Sequence, residues 1–407
     1  MKYKIIMLIL NQRTDSTHCW IAEGPESFSF IKWMNNTMKK KLSIFILACL
    51  TFQACGIKES ALEETQIQQE EDVPKAQLEE AVVEDSGAYD FTLCFAGDIN
   101  FDENWVTTQY LNTCENGIKD CISPELINTM QQADIMWINN EFTYSDRGQP
   151  LPGKAYTFRA NPDRVENLKL LGVDIVGLAN NHVYDYGKEA LLDTMDTLDK
   201  VEIPYVGAGH NLNEASEPVY IKIQGKTIAF VAASRAEKNK MTPQATDTEP
   251  GILRCYDTTL FDEEIKEADA NADIVVALPH WGTEYSTELE TVQPQTAHEY
   301  IDAGADAIIG AHTHCLQGFE YYKDVPIVYS LGNYWFNEKT LDSMLVTLHC
   351  YGDDNEDNID VIITPALQTN CRTVYVDDKE KQRELYDRLE NISVNVEIDD
   401  NGIVRNH

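Results

Sequence analysis

The chain predicts an α/β fold in which sheets of short buried strands are covered by helices. Three observations carry this reading. Short apolar runs recur and end abruptly in polar loops, and segments with apolar residues at helical spacing lie between them. The composition, 43% hydrophobic and 25% charged over 407 residues, is that of a chain able to bury a core.

The elements follow in order. Phe91–Ala96 is a buried strand that empties into Gly97-Asp98, and Ala133–Ile138 empties into Asn139-Asn140-Glu141. Asn161–Leu171 carries Val165, Leu168 and Leu171 at helical spacing, opens on Asn-Pro and closes at Gly172. Val173–Ala179 is strand-like and runs into Asn180-Asn181-His182, before an amphipathic helix over Gly187–Lys200. Val219–Ile223 and Thr227–Ala232 flank Gln224-Gly225, a hairpin signal. Ile274–Leu278 ends in Pro279-His280; after a helix over Gln293–Ala303, Ala307–Ile309 runs into Gly310-Ala311-His312-Thr313-His314. Ile327–Leu331 ends at Gly332-Asn333. Met344–Cys350 and Ile359–Ile363 read as a hairpin across an acidic turn, followed by a polar helix over Lys379–Leu389.

The amino-terminal 88 residues have another character. Residues 1–37 read as an over-extended start. From Met38, three lysines precede the apolar run Leu42–Phe52, too short to span a bilayer, and Gln53-Ala54-Cys55 follows. This resembles a bacterial lipoprotein signal over 38–55, with Cys55 as the acylated residue; plain secretion and a retained anchor are the alternatives. Residues 56–88, rich in Glu and Gln, read as a solvated acidic tether. The body then spans 89–340, with 341–407 completing or covering it. The expected location is the bacterial cell surface or periplasm, membrane-anchored through the lipid.

Net charge is −36, from 32 basic and 68 acidic residues. That excludes nucleic acid as the main partner and requires local cations for any anionic substrate. Lys154 and Arg159, in a loop between strand ends, are candidates for that task. Trp281 and Tyr285, beside His280, are candidates for an apolar wall or for core packing. No CxxC pair occurs, so zinc-ribbon and thioredoxin readings fail. Cys114 and Cys121 are spaced for a local disulfide.

Five run ends offer Asp98, Glu141, Asn181-His182, His280 and His312-x-His314. One histidine at a strand end ordinarily makes a hydrogen bond and nothing more. Carboxylate, imidazole and amide oxygen gathered at five such ends form a ligand set for one or two divalent ions: Mn, Fe or Zn. In an extended segment, His312 and His314 point to the same side.

Several segments resemble the CapA family of capsule-synthesis and poly-γ-glutamate biosynthesis proteins. They are Phe158–Pro162, Gly172–Ala179, Ala179–Gly187, Val206–Gly209, Pro279–Gly282, Gly310–His314 and Ser330–Asn333. The resemblance implies a calcineurin-like metallophosphoesterase fold, a four-layer αββα sandwich. It also implies one ion held by Asp98, Glu141 and His314, and another by Glu141, Asn181, His280 and His312. His182 is implied as general acid, oriented by Asp185. One departure stands out: where the superfamily has Asp-x-His, this chain has Asp98-Ile99-Asn100.

The function so implied is a metal-dependent hydrolase or transferase in capsule or poly-γ-glutamate synthesis or export. Through water activated at the metal, it would act on an anionic envelope polymer or a phosphoester or amide substrate. The alternative is a non-catalytic accessory subunit of a membrane polymer synthase or export complex.

Overall fold

The structure, a computed structural model, describes residues 88–353 and 356–407, together with the backbone of two short strands, Ile6–Leu8 and Cys19–Ile21, that pair antiparallel. Those two strands belong to the unit Met1–Glu80, and the remaining described elements to the unit Ala81–His407. The expected signal, Cys55 and all of the tether except Ala88 lie outside the described residues.

The larger unit is a mixed α/β body with two main sheets. The first runs in space Val396–Ile398, Ile403–Asn406, Asp357–Thr369, Leu341–Gly352, Tyr89–Ile99, Ile135–Asn140, Ile175–Gly177, Tyr205–Val206. From Tyr89–Ile99 onward the neighbours are parallel, and before it they are antiparallel. Asn333–Trp335 adds a parallel partner to the far end of Tyr89–Ile99. The second sheet runs Val219–Ile223, Lys226–Ser234, Ile274–His280, Ala307–Ile309, Val325–Val328, Phe319–Tyr322, with parallel pairing among its four central strands.

Alternation along the strands sorts the core into three apolar layers. Phe91, Leu93 and Phe95 from the first sheet meet Ile228, Phe230, Ile274 and Val276 from the second. The opposite face of the first sheet, with Cys94, Met136 and Ile138, packs on Leu126 and Met130 of helix Pro124–Gln132 and on Leu191, Met195 and Leu198 of helix Lys188–Lys200. The outer face of the second, with Ala229, Val231 and Val275, packs on Phe261 and Ile265 of helix Thr259–Asp269 and on Ala297 and Tyr300 of helix Val292–Ala303. Each fully buried aromatic or leucine removes apolar surface worth about 1.5–3 kcal/mol. The order is helices, sheet, sheet, helices.

Local chemistry accounts for the joints. Gln224 and Gly225 both have positive φ, +46° and +86°, the backbone of a two-residue hairpin turn. Gly97 lies where a Cβ would sit 1.9 Å from the Gly332 carbonyl oxygen. Its lack of a side chain lets the end of Tyr89–Ile99 approach the Gly332-Asn333 turn, with the Asp98 amide donating to the Gly332 oxygen at 2.9 Å.

Three expectations change. The helix read over Asn161–Leu171 is a 3₁₀ turn, Pro162–Val165, followed by a short α-helix, Glu166–Leu170. The late hairpin is longer than its apolar runs, and of the two roles expected for it, completing or covering the body, it takes the first. Leu341–Gly352 lies between Asp357–Thr369 and Tyr89–Ile99, in the interior of the first sheet. Cys114 and Cys121 are thiols with sulfurs 3.9 Å apart, well beyond the ~2.05 Å of a disulfide. Among the described residues, no helix is long and apolar enough to cross a membrane.

Candidate metal centre

Every motif residue reaches the site because its strand ends there. Asp98 lies near the end of Tyr89–Ile99, Glu141 directly follows Ile135–Asn140, and Asn181 and His182 lie just beyond Ile175–Gly177. His280 is the last residue of Ile274–His280, while His312 and His314 follow Ala307–Ile309. These strands are parallel within each sheet, so their carboxyl ends share one edge, where ligands collect in open α/β sheets.

Two groups of ligand atoms form there, each with its atoms within 4.8 Å of one another: Asp98, Glu141 and His314, and Glu141, His280 and His312. Glu141 belongs to both. The Asn181 side-chain oxygen lies 2.8 Å from His280 Nε2 and so joins the second group. All these residues are buried.

The donor chemistry fits a divalent transition metal. Both oxygens of Glu141 and Nδ1 of His312 are buried without a hydrogen-bond partner. His280 Nε2 is 3.5 Å from Glu141 Oε1, and His314 Nδ1 is 3.0 Å from Asp98 Oδ2. Buried polar atoms left unmatched are costly, and a cation at their centre would satisfy them together.

The electrostatics agree. Burial, then the neighbouring Asp98 charge, raises the Glu141 carboxyl well above its ordinary value. Burial, then neighbouring imidazoles, lowers His280 and His312 well below theirs. For His314, burial pushes downward but loses to the hydrogen bond and charge of Asp98, and the net direction is up. Protons therefore compete with a metal chiefly at Glu141 and His314. Both are held protonated to higher pH than usual, so affinity falls as pH is lowered from 8 to 6. Each proton displaced contributes up to about tenfold per pH unit. Calorimetric titration of Mn or Zn in buffers of different ionisation enthalpy reads this as proton release; binding without pH dependence would contradict it.

His312 and His314 do not follow the extended-strand geometry expected of an i, i+2 pair. Their φ angles are +102° and +55°, and their ring centroids lie 6.3 Å apart. A left-handed backbone at two non-glycine residues is strained, and such strain persists where surrounding structure overdetermines it.

Supporting residues that the motifs left without a role are asparagines. Asn139 donates to Asp98 Oδ1 at 2.7 Å, and Asn180 donates to Asn139 Oδ1 at 3.1 Å. Asn333 Oδ1 is 2.9 Å from His314 Nδ1, because Asn333 pairs in register with Asp98. Such partners orient ligands and fix imidazole tautomers. Their sequence signal was position alone: two before Glu141, one before Asn181, one after Gly332. Asn100 is spent elsewhere. Its side-chain oxygen accepts the Asp102 amide at 2.7 Å, closing a local turn.

His182 Nδ1 bonds Asp185 Oδ2 at 2.7 Å, and the same oxygen accepts the Phe158 amide. Burial, then the Lys154 charge, pushes the His182 imidazole well below its ordinary value. Lys154, expected to meet an anionic substrate, is instead buried in an internal ion pair. Its ammonium lies 2.6 Å from Asp185 and 2.8 Å from Glu237 and also donates to the Asn181 carbonyl. Arg159 lies over the Tyr186 ring and donates to the carbonyls of Arg147 and Gly148. Trp281 is fully buried, donating its indole N–H to the Tyr329 carbonyl, and so is a core residue. Tyr285 is 46% exposed, with its ring 5.7 Å from that of His314. Phe158 packs on His182 and Phe336 on His314, and the two phenyl rings meet edge to face.

Comparison with known proteins gives consistent relatives. The chain is 37% identical over 200 residues to the PGA biosynthesis protein CapA of Bacillus subtilis (strain 168), covering 48% of this chain and 52% of that one. It is 37% identical over 196 residues to the capsule biosynthesis protein CapA of Bacillus anthracis, covering 47% of each. A probable polyglutamine synthesis accessory protein of Mycobacterium tuberculosis is 28% identical over 208 residues, covering 49% of this chain and 55% of that one. The chain thus spans about half the length of these curated relatives. Among solved structures, a putative 5'-nucleotidase from Staphylococcus aureus aligns at TM-score 0.41 and 18% identity over 74% of this chain and 58% of that one, a likeness too slight to carry weight. The sequence profile described as "Bacterial capsule synthesis protein PGA_cap" matches residues 92–338, more than half of the chain. The chain belongs to that bacterial capsule synthesis protein family, PGA_cap.

Proposed function

We propose that the chain is a metal-dependent hydrolase or transferase of metallophosphoesterase type. It acts at the cell surface on an anionic capsule or poly-γ-glutamate-like polymer. The observation that carries this reading is the shared Glu141, which joins two buried three-residue groups drawn from both sheets. The printed roles of the Bacillus relatives, capsule and PGA biosynthesis, support the substrate class. Divalent ions held by Asp98, Glu141 and His314, and by Glu141, Asn181, His280 and His312, would supply Lewis acidity to an ester, amide or phosphoester.

The chain's own residues do the rest. Neutral His182, with Nδ1–H donated to Asp185, presents a lone pair at Nε2. That suits a group that takes a proton and then returns it to the leaving atom. The return step is the general-acid role that the family resemblance implies for His182, with Asp185 orienting it. Phe158 and Phe336 cover His182 and His314 and limit water at the reacting groups.

The test is elemental analysis of purified protein followed by a panel of phosphodiester and γ-glutamyl substrates. His182→Ala is expected to retain the wild-type metal content and lose about 10²–10⁴-fold in kcat. Asp185→Asn should lose less, since it acts through His182. Metal-free protein with full biological activity would end the reading. The accessory-subunit reading rests on Asn100, which stands at a ligand position of the superfamily motif and is spent on a turn. It is favoured if the double substitution His312→Ala, His314→Ala still supports polymer export.

A further inference from the structure

Of the two cations that the loop composition suggested for substrate binding, Lys154 is sealed in a buried ion pair, and Arg159, half-buried over the Tyr186 ring, donates to the Arg147 and Gly148 carbonyls. Lys339 is a third. Its side chain is exposed, and its ammonium lies 3.8 Å from the centroid of the Tyr285 ring. No carboxylate pairs with it among the described residues. Tyr285 in turn faces the ring of His314, 5.7 Å away.

Tyr285 is held there by its backbone. Its φ is +57°, and its amide donates to the carbonyl of Thr313, the residue between the two histidines, at 2.6 Å. A left-handed tyrosine tied to the ligand loop, half exposed and carrying a lysine on its ring face, is a costly arrangement for a plain surface. It places a positive charge on the half-exposed ring that neighbours His314, in a protein of net charge −36.

We propose that Tyr285 and Lys339 form an anion-recognition subsite that receives a carboxylate or phosphate of the substrate next to the group held at the metal centre. The inference rests on the proposed function and adds a specificity element to it. The aromatic ring fixes the position of the ammonium, and the ammonium remains free to bond an anionic oxygen. Glu284, on the same loop, contributes a negative charge felt by Glu141 and His314. Lys339 therefore offsets a repulsion that an anion would otherwise meet.

The experiment uses the full chain loaded with Mn and two fluorescent probes, a γ-linked glutamate decamer and a short polyphosphate, read by anisotropy at low and high salt. Lys339→Gln is expected to weaken binding about fivefold and to flatten its salt dependence. Lys339→Arg should keep most of the affinity, and Tyr285→Ala should mimic Lys339→Gln. Lys323→Gln, a lysine paired with Asp302 in the turn between Phe319–Tyr322 and Val325–Val328, is the control and should change nothing. The probe that loses more identifies the anion. Equal binding by wild type and Lys339→Gln, with full metal content in both, overturns the subsite and leaves the metal reading intact. Absence of metal from the wild type overturns the proposed function, a result read separately by elemental analysis.

Discussion

Glu141→Gln is expected to remove metal from both positions at once and to invert the order of stability between wild type and variant. Glu141 is the one ligand shared by the two groups. An amide there keeps the shape but loses the charge that holds two cations together. Metal content should fall to background and turnover by at least about 100-fold. The stability effect follows from linkage. The folded-state pKa of Glu141 lies well above its unfolded value, raised first by burial and then by Asp98. A group shifted in that direction favours the fold at acid pH and costs stability as pH rises through its folded pKa. In metal-free protein at pH 8 the variant should therefore be the more stable by roughly 1–3 kcal/mol, the cost of an unmatched buried group. Near pH 4 the two should converge. With metal at about 100 times Kd the wild type gains about 2.7 kcal/mol and the variant gains nothing. Denaturant titration with and without chelator reads all four states. A variant that still binds one ion would show that the two groups do not depend on the shared carboxylate.

Lys154→Met carries the second large effect. The Lys154 side chain is 4% exposed and that of Asp185 is fully buried, and the pair lies 2.6 Å apart. Removing the ammonium leaves a buried carboxylate without its cation and frees Glu237 and the Asn181 carbonyl as well. A loss of about 3–5 kcal/mol is expected at pH 8. Burial pushes Asp185 up to about 7 even with Lys154 beside it. Without Lys154 it moves higher, so protonation relieves the penalty, and the difference between wild type and variant should shrink from pH 8 to pH 5. Adding Asp185→Asn should restore much of the loss, as coupled neighbours do. A loss that is the same at every pH would assign Lys154 to packing and not to charge.

Much of the centre was legible because its residues sit where apolar runs stop. Asp98 and His280 close, and Glu141, Asn181, His312 and His314 follow, strands whose hydrophobicity announces them, and parallel strands deliver their ends to one edge. What was not legible depends on contacts between distant segments. Asn333 reaches His314 only because its strand pairs in register with Asp98, a consequence of two glycines meeting at positions 97 and 332. Lys154 and Lys339 are both lysines in loops, and composition does not say that one is sealed against two acids while the other stands on a tyrosine ring. Trp281 and Tyr285 are four residues apart, yet one is core and the other rim.

By itself, then, the order of residues determined the α/β class, the ligand types and the ends of strands that carry them, since these follow from local periodicity and punctuation. The division of the ligands about Glu141 was already implied by the family resemblance; tertiary structure alone decided that Lys154 is sealed in an ion pair while Lys339 stands on a tyrosine ring, and set the left-handed backbone at His312 and His314. The physical reason is that charge pairing, burial and backbone strain are set by neighbours brought together from across the chain, and their energies have no counterpart in any single segment.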